Sequence, residues 1–183
     1  MNECEECERM DCRERGCIAP INKRFLNPKK TVDWDSYFLT LAETVSTKSK
    51  DNSSQIGCVI VGPQHEIRTT GYNGFCRGVD DNVDERHMRP EKYYWAEHAE
   101  RNAIYNAARN GIQLEGCTAY ISGNSGGLPP CADCTRGLIQ SGIKKIVIDG
   151  AIQTNNSKWI ESWLRSKIML KETGVDLVQH KKN

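Results

Sequence analysis

The stretch from Cys117 to Asp149, CTAYISGNSGGLPPCADCTRGLIQSGIKKIVID, decides the fold. It begins with the short apolar run CTAYIS, which reads as a strand. GNSGGLPP follows, rich in glycine and proline, and reads as a loop. CADCTRGLIQSG is a short helix that stops at a glycine, and KKIVID is a second buried strand. A strand, a helix and a strand in this order predict a crossover between neighbouring strands of a sheet with helices on its faces.

Working outward, the same alternation continues. TVDWDSYFLTLAETVSTKS carries Trp34, Tyr37, Phe38, Leu41 and Val45 at helical spacing, with Asp33 as the N-cap. QIGCVIVG is a β-branched strand, and HEIRTTGYNG is the second strand of a hairpin with it. The polar segment from Phe75 to Tyr94 reads as a loop with at most one helical turn. AEHAERNAIYNAARNG reads as a helix with Ala99, Ala103, Ile104, Ala107 and Ala108 on its apolar face and Gly111 as its stop. SKWIESWLRSKIMLKETG is a last helix, with Trp159, Ile160, Trp163, Leu164 and Ile168 on one side, and VDLVQ a last strand. The order α-β-β-α-β-α-β-α-β predicts a five-stranded mixed α/β sheet.

Composition bounds the function. The 183 residues are enough for one domain with a core, and 38% hydrophobic against 27% charged residues is a globular balance. A net charge of +1 and the lack of a long basic run argue against nucleic acid as the main partner. No apolar run is long enough to span a bilayer and no secretory leader is visible, so the expected place is the cytoplasm and no membrane partner is expected. Nine cysteines, an odd count, fit metal ligation better than a disulfide framework.

Two cysteines carry the chemistry. Cys131 and Cys134 lie three apart at a helix start, so both sulfurs reach one ion, and the helix N-terminus favours their thiolate forms. His98, at the start of the preceding helix, supplies a third ligand. Three protein ligands leave a fourth position open for water, the mark of a catalytic zinc. Glu100 stands two residues after His98, at about 200° around a helix, so it is not a ligand beside it. It fits as a carboxylate that takes a proton from water and gives it to a substrate nitrogen. Alone, PCADC reads equally as half of a structural site or a redox pair. H-x-E and P-C-x-x-C at consecutive helix starts are together the signature of zinc-dependent nucleobase deaminases.

On these residues the sequence resembles the deoxycytidylate (dCMP) deaminases of the cytidine deaminase superfamily. The segments that carry the resemblance are SSQIGCVIVG, GYNGFCRG, HAERNAI with NAARNGIQLEG, and PPCADCTRGLIQSGIKKIVI, spread from about Asp33 to Gln179. The resemblance implies a three-layer α-β-α cytidine-deaminase-like fold and hydrolysis of dCMP to dUMP and ammonia, a step that supplies dTMP synthesis. It implies His98, Cys131 and Cys134 as ligands of the catalytic Zn2+, with Glu100 as general acid/base. Asn73 would bind the deoxyribose, Ala99 and Pro130 would offer backbone groups to the pyrimidine, and Ser54 would border the phosphate pocket. The family includes hexamers activated by dCTP and inhibited by dTTP, so a homo-oligomer, hexamer or dimer, is expected. The effector or phosphate residues would then be Gly71, Tyr72, Gly74, Arg77, Arg86 and Arg89, with Mg2+ accompanying a triphosphate.

The chain also departs from the family pattern. GNSGGLPP intervenes before P-C-x-x-C, similar to the loop of riboflavin-pathway deaminases, yet Ser122 stands where their first cysteine would be. Cys76 replaces a common proline after GYNGF. Competing expectations are therefore deamination of dCTP, of a modified dCMP or of a riboflavin precursor, then a polynucleotide editor, and last a regulatory binding protein, against which Glu100 argues.

Residues 1–30 stand apart from a deaminase domain over 31–183. Cys4, Cys7, Cys12 and Cys17 are spaced C-x2-C-x4-C-x4-C, as in a zinc knuckle with cysteine in place of histidine. So polar a segment has no core, and a second, structural Zn2+ would supply its folding energy. The alternative is a tail of free thiols. His87 is a substitute ligand there or, like His65 and His180, a surface histidine.

Overall fold

The computed structural model describes residues 31–124, 129–150 and 157–180. The helices are α1 (Trp34–Ser46), α2 (Lys92–Trp95), α3 (Ala99–Arg109), α4 (Ala132–Gln140) and α5 (Ser157–Thr173). The strands are β1 (Ile56–Val61), β2 (Ile67–Tyr72), β3 (Gly74–Phe75), β4 (Ala96–Glu97), β5 (Thr118–Gly123), β6 (Lys145–Asp149) and β7 (Asp176–His180). The expected order of the long elements is the observed one.

The five long strands form one mixed sheet in the order β2-β1-β5-β6-β7. The β1–β2 hairpin and the β1–β5 pair are antiparallel, with Gly57 opposite Tyr72 and Ile56 opposite Gly123. The β5–β6 and β6–β7 pairs are parallel, as crossover helices require. Side chains alternate across β1 and give each face its own core. Val59 and Val61 join Phe38, Leu39 and Ala42 of α1, with Tyr120 and Val147 from β5 and β6. Cys58 and Ile60 join Ala99, Ala103 and Ala107 of α3, Leu138 of α4 and Leu170 of α5. The layers are thus α1, sheet, and α3–α5.

Asp33 caps α1, its carboxylate accepting from Ser36 N at 2.9 Å. On the other face α3 lies so close to β2 that a side chain on Gly71 would collide with the backbone of Ala99 and Ala103. Glycine at position 71 is therefore required by the packing of α3 on β2.

Two features differ from the sequence reading. The expected helix from Ala96 begins only at Ala99, because Ala96 and Glu97 pair with Phe75 and Gly74 as a two-stranded ladder. This ladder closes the 75–94 loop, which contains a 3-10 turn at Asp84–His87 and α2. On α5 the buried stripe is Trp163, Ser166 and Leu170, with Trp159 and Ser162 half-buried, while Ile160, Leu164 and Ile168 are exposed. Among the described residues no helix is long and apolar enough to cross a membrane.

Candidate active site

His98 is the N-cap of α3 and Cys131 the N-cap of α4, both with extended backbone and neither with a side-chain capping bond. Their side chains are thereby left to face each other. His98 Nδ1 lies 3.5 Å from Cys131 Sγ and 3.4 Å from Cys134 Sγ. One ligand atom from each of the three residues falls within 4.8 Å of the others. One imidazole nitrogen and two sulfurs at this spacing fit a tetrahedral zinc with one position left over.

The electrostatics suit a cation. The bond to Cys131 raises the affinity of His98 for a proton, against the effect of burial. The Cys134 thiol and the His98 ring hold Cys131 well below the ordinary thiol range. Cys134, which donates to Cys131 and is buried, is pushed up. The protons held by His98 and Cys134 are those an ion would displace. Two helix N-termini meet here, and both favour the thiolates.

Glu100 lies in the first turn of α3 with only 6% of its surface exposed. Burial pushes its carboxyl above the ordinary range, and His98 opposes that. Arg101, next in sequence, pairs with Glu97 and lies 3.9 Å from Asp133, and its charge is favoured by Cys134 and Cys131 once burial is overcome.

His98, Glu100, Arg101, Cys131 and Asp133 line a cavity of about 420 Å³. Ser54, Asn73, Ala99 and Glu100 face it, with Ile121 at its floor and Trp159 and Trp163 on the α5 side. The Trp159 ring stands edge-on to His98, centroids 6.0 Å apart. Asn73 is built in rigidly: its Oδ1 accepts from Ile56 N and its Nδ2 donates to Ser54 O, both at 2.7 Å. Pro129, not Pro130, lines the cavity. Pro130 is buried, and its carbonyl accepts from Ser166 Oγ at 2.9 Å and Thr135 Oγ1 at 3.4 Å.

A smaller cavity of about 230 Å³ adjoins it, lined by Lys48, Lys50, Tyr72, Gly74, Asp81 and His87 among others. Asp51, Arg89, Lys92 and Ala96 border both. Arg77 and Arg86 border neither: Arg77 Nη2 donates to Asn106 Oδ1 at 2.6 Å, and Arg86 lies over the Trp95 ring and donates to Asp80 O. Of the three arginines, Arg89 is the one that borders a cavity, in keeping with the expectation that at least one of them faces a phosphate. His87 bonds Asp81 O at 2.8 Å and stacks on Phe75, His180 bonds Ser36 at 2.9 Å, and His65, exposed as expected, stacks on Trp34. Ser122 is buried and donates to Asp149 at 3.1 Å. Cys4, Cys7, Cys12 and Cys17 lie outside the described residues.

Sequence reading missed the Asp51–Lys92 pair. Lys92 Nζ reaches Asp51 Oδ2 and Ser53 Oγ, each at 2.8 Å, with both charged side chains largely covered. Burial alone would raise the Asp51 carboxyl, but Lys92 and the Ser53 and Ser54 donors outweigh it and hold it at about 2. Forty-one residues separate the partners, and no local pattern marks either one.

The cytidine and deoxycytidylate deaminase zinc-binding region matches residues 32–149, well over half of the chain. The chain belongs to that deaminase family. A probable deoxycytidylate deaminase of Caenorhabditis elegans is 42% identical over 112 residues, covering 60% of this chain and 53% of the relative. The deoxycytidylate deaminase of Enterobacteria phage T2 is 47% identical over 163 residues, covering 68% and 84%. The crystal structure of the dCMP deaminase from cyanophage S-TIM5 in apo form superposes with a TM-score of 0.59 at 22% identity, over 80% of this chain and 96% of that one, a likeness of fold. The chain spans 53% of the worm relative and 64% of the human deoxycytidylate deaminase. The family match ends at residue 149, before α5, so the tryptophan wall of the cavity lies beyond it.

Proposed function

We propose that this chain is a zinc-dependent hydrolase that converts dCMP and water to dUMP and ammonia, feeding dTMP synthesis. The observation that carries the reading is Glu100, a buried carboxylate that lines the same nucleotide-sized cavity as His98 and Cys131 of the metal-type cluster. A purely structural metal site has no need of it. His98, Cys131 and Cys134 would hold the zinc, whose chemistry is to lower the pKa of a water molecule and make it nucleophilic near neutrality.

Glu100 accepts the proton that this water loses as its oxygen bonds to C4 of the cytosine ring. It would deliver that proton to N3, then take the second proton from the C4 hydroxyl as the C4 carbonyl forms and pass it to the amine, which leaves as ammonia when the C4–N bond breaks. Ala99 and the Pro129–Pro130 segment would offer backbone groups to the base, and Trp159 and Trp163 would exclude water from one side. Asn73 and Ser54 lie where the sugar and the first phosphate oxygens would follow. Arg89, at the border of the two cavities, suits the phosphate itself. The relatives named deoxycytidylate deaminase support the nucleotide level of the substrate.

The adjoining smaller cavity, with Lys48, Lys50 and Arg89 on its walls, is the proposed place for a dCTP or dTTP effector with Mg2+, approached by Tyr72 and Gly74. A homo-oligomer and a second, structural zinc on Cys4, Cys7, Cys12 and Cys17 complete the proposal, with residues 1–30 as a segment separate from the deaminase domain.

Ammonia release from dCMP, deoxycytidine, dCTP and a riboflavin precursor, each with and without dCTP or dTTP, tests the reading. The expected order has dCMP first and deoxycytidine far behind, because phosphate contacts also orient the base over the metal. Equal turnover of deoxycytidine makes the protein a nucleoside deaminase instead.

A further inference from the structure

The first turn of α4 needs partners that its own sequence does not supply. A helix start leaves N–H groups unpaired, and a Ser, Thr, Asp or Asn at the N-cap ordinarily serves one of them. Here the N-cap is Cys131, whose sulfur is turned toward His98 and makes no capping bond. The two residues before it are prolines, which have no N–H to anchor the approach. The Pro130 carbonyl and the Ala132 N–H, on either side of Cys131, must therefore be paired from elsewhere.

Both find their shorter partners on α5, while Thr135 Oγ1 of α4 adds a longer bond of 3.4 Å to the Pro130 carbonyl. Ser162 Oγ accepts from Ala132 N at 2.8 Å. Ser166 Oγ lies 2.9 Å from Pro130 O and 3.0 Å from Ser162 O, and its one proton is divided between them. The two serines are one helical turn apart, on the same face as Trp159 and Trp163. Ser166 is 1% exposed, a polar group placed in a helix's buried stripe where an apolar residue would pack without cost.

We propose that Ser162 and Ser166 are positioning residues of the metal-ligand loop. They act as a helix cap supplied from another helix, and they fix the Cys131 thiolate against His98 and Cys134 while leaving its sulfur free for an ion. The proposal rests on the reading of His98, Cys131 and Cys134 as zinc ligands. Removing the Ser162 hydroxyl frees the Ala132 N–H, and removing that of Ser166 leaves the Pro130 carbonyl only its longer bond to Thr135, so either change loosens a peptide flank of Cys131 and lets its sulfur leave the common position. Losing groups that orient metal ligands costs on the order of 10- to 100-fold in metal affinity.

A hydrogen bond that served stability alone would lower the unfolding midpoint and leave the ion's release from the folded protein unaltered. The experiment therefore measures zinc release from the full-length protein to a chromophoric chelator, well below the unfolding temperature. The release phase that vanishes in Cys131→Ala belongs to this site. In Ser162→Ala and Ser166→Ala that phase should accelerate about tenfold or more, and Ser162→Thr, which keeps the acceptor, should return it to within about twofold of the parent. The cobalt-substituted alanine variants should show a displaced thiolate-to-cobalt absorption band. Ser36→Ala, which removes a buried hydroxyl bonded to His180 on the opposite face of the sheet, should leave release and band unchanged. Parent-like release and an unchanged band in both alanine variants overturn the proposal. If Ser166→Ala does not fold, Ser162→Ala and its threonine rescue decide alone. Should Cys131→Ala retain the phase, the zinc reading itself falls, and that outcome is distinct from failure of the serine brace.

Discussion

Asp51 and Lys92 tie the 51–54 turn to α2 at the border of the two cavities, and the structure sets the energy of that tie. The ordinary aspartate value is 3.8, and Asp51 is held at about 2. At about 1.4 kcal/mol per unit, the difference is worth about 2 kcal/mol to the folded state. The side chains are 15% and 12% exposed, so solvent screens the pair little. The folded value lies below the unfolded one, so the contribution is fully present above pH 3.8 and is lost as pH falls toward 2. Asp51→Asn should then unfold about 2 kcal/mol more easily in urea at about pH 6, and the gap between parent and variant should close as pH drops from about 4 to about 2. Taking the difference between the two proteins cancels the loss of metal in acid, which both share. Lys92→Met should cost more, about 3 to 5 kcal/mol, because it leaves a covered carboxylate without its cation. A parent-to-variant gap that stays flat between about pH 6 and about pH 2 refutes the pairing argument.

Three further outcomes test the site. Glu100→Gln should keep fold and zinc and lose on the order of 10² to 10⁴ in kcat, by ammonia release and elemental analysis; near-normal turnover with unchanged metal means that Glu100 is not the proton carrier. Elemental analysis of protein purified without chelator should find two zinc ions per chain, and removing residues 1–30 should remove one and leave catalysis largely intact, whereas one ion in the full chain returns the four N-terminal cysteines to free thiols. Arg89→Ala should narrow the preference for dCMP over deoxycytidine, while Arg77→Ala, whose side chain is turned to Asn106, should leave it unchanged; a shift with Arg77 and none with Arg89 reverses their assignment.

The legible part of the sequence was the part in which one local pattern determines one outcome. The β-branched run Ile56–Val61 could only be a buried strand, and the spacing of Cys131 and Cys134 on a helix start could only bring their sulfurs together. Ala96 and Glu97 were misread as helix because nothing local distinguishes them from the helical residues after His98. A two-residue ladder with Gly74 and Phe75, more than twenty positions back, claims their backbone. Gly71 reads as part of a ligand turn, and its further role in the approach of α3 to β2 has no local mark. The Asp51–Lys92 pair likewise exists only through tertiary contact.

The misreading of α5 has a physical cause that bears on function. Apolar periodicity placed Ile160, Leu164 and Ile168 inward with the tryptophans, but the helix turns Ser162 and Ser166 inward and leaves those three exposed. Burying three large aliphatic side chains would gain about 1.5 to 3 kcal/mol each. The sheet side of α5 does not take that gain, because its neighbour there is the start of α4, whose backbone groups need hydrogen-bond partners more than apolar contact. An uncapped helix start left buried costs as much per group as an aliphatic contact returns. The polar residues that defeat the hydrophobic pattern are therefore the ones that meet the demand created by placing a metal ligand, rather than a capping residue, at the N-cap of α4.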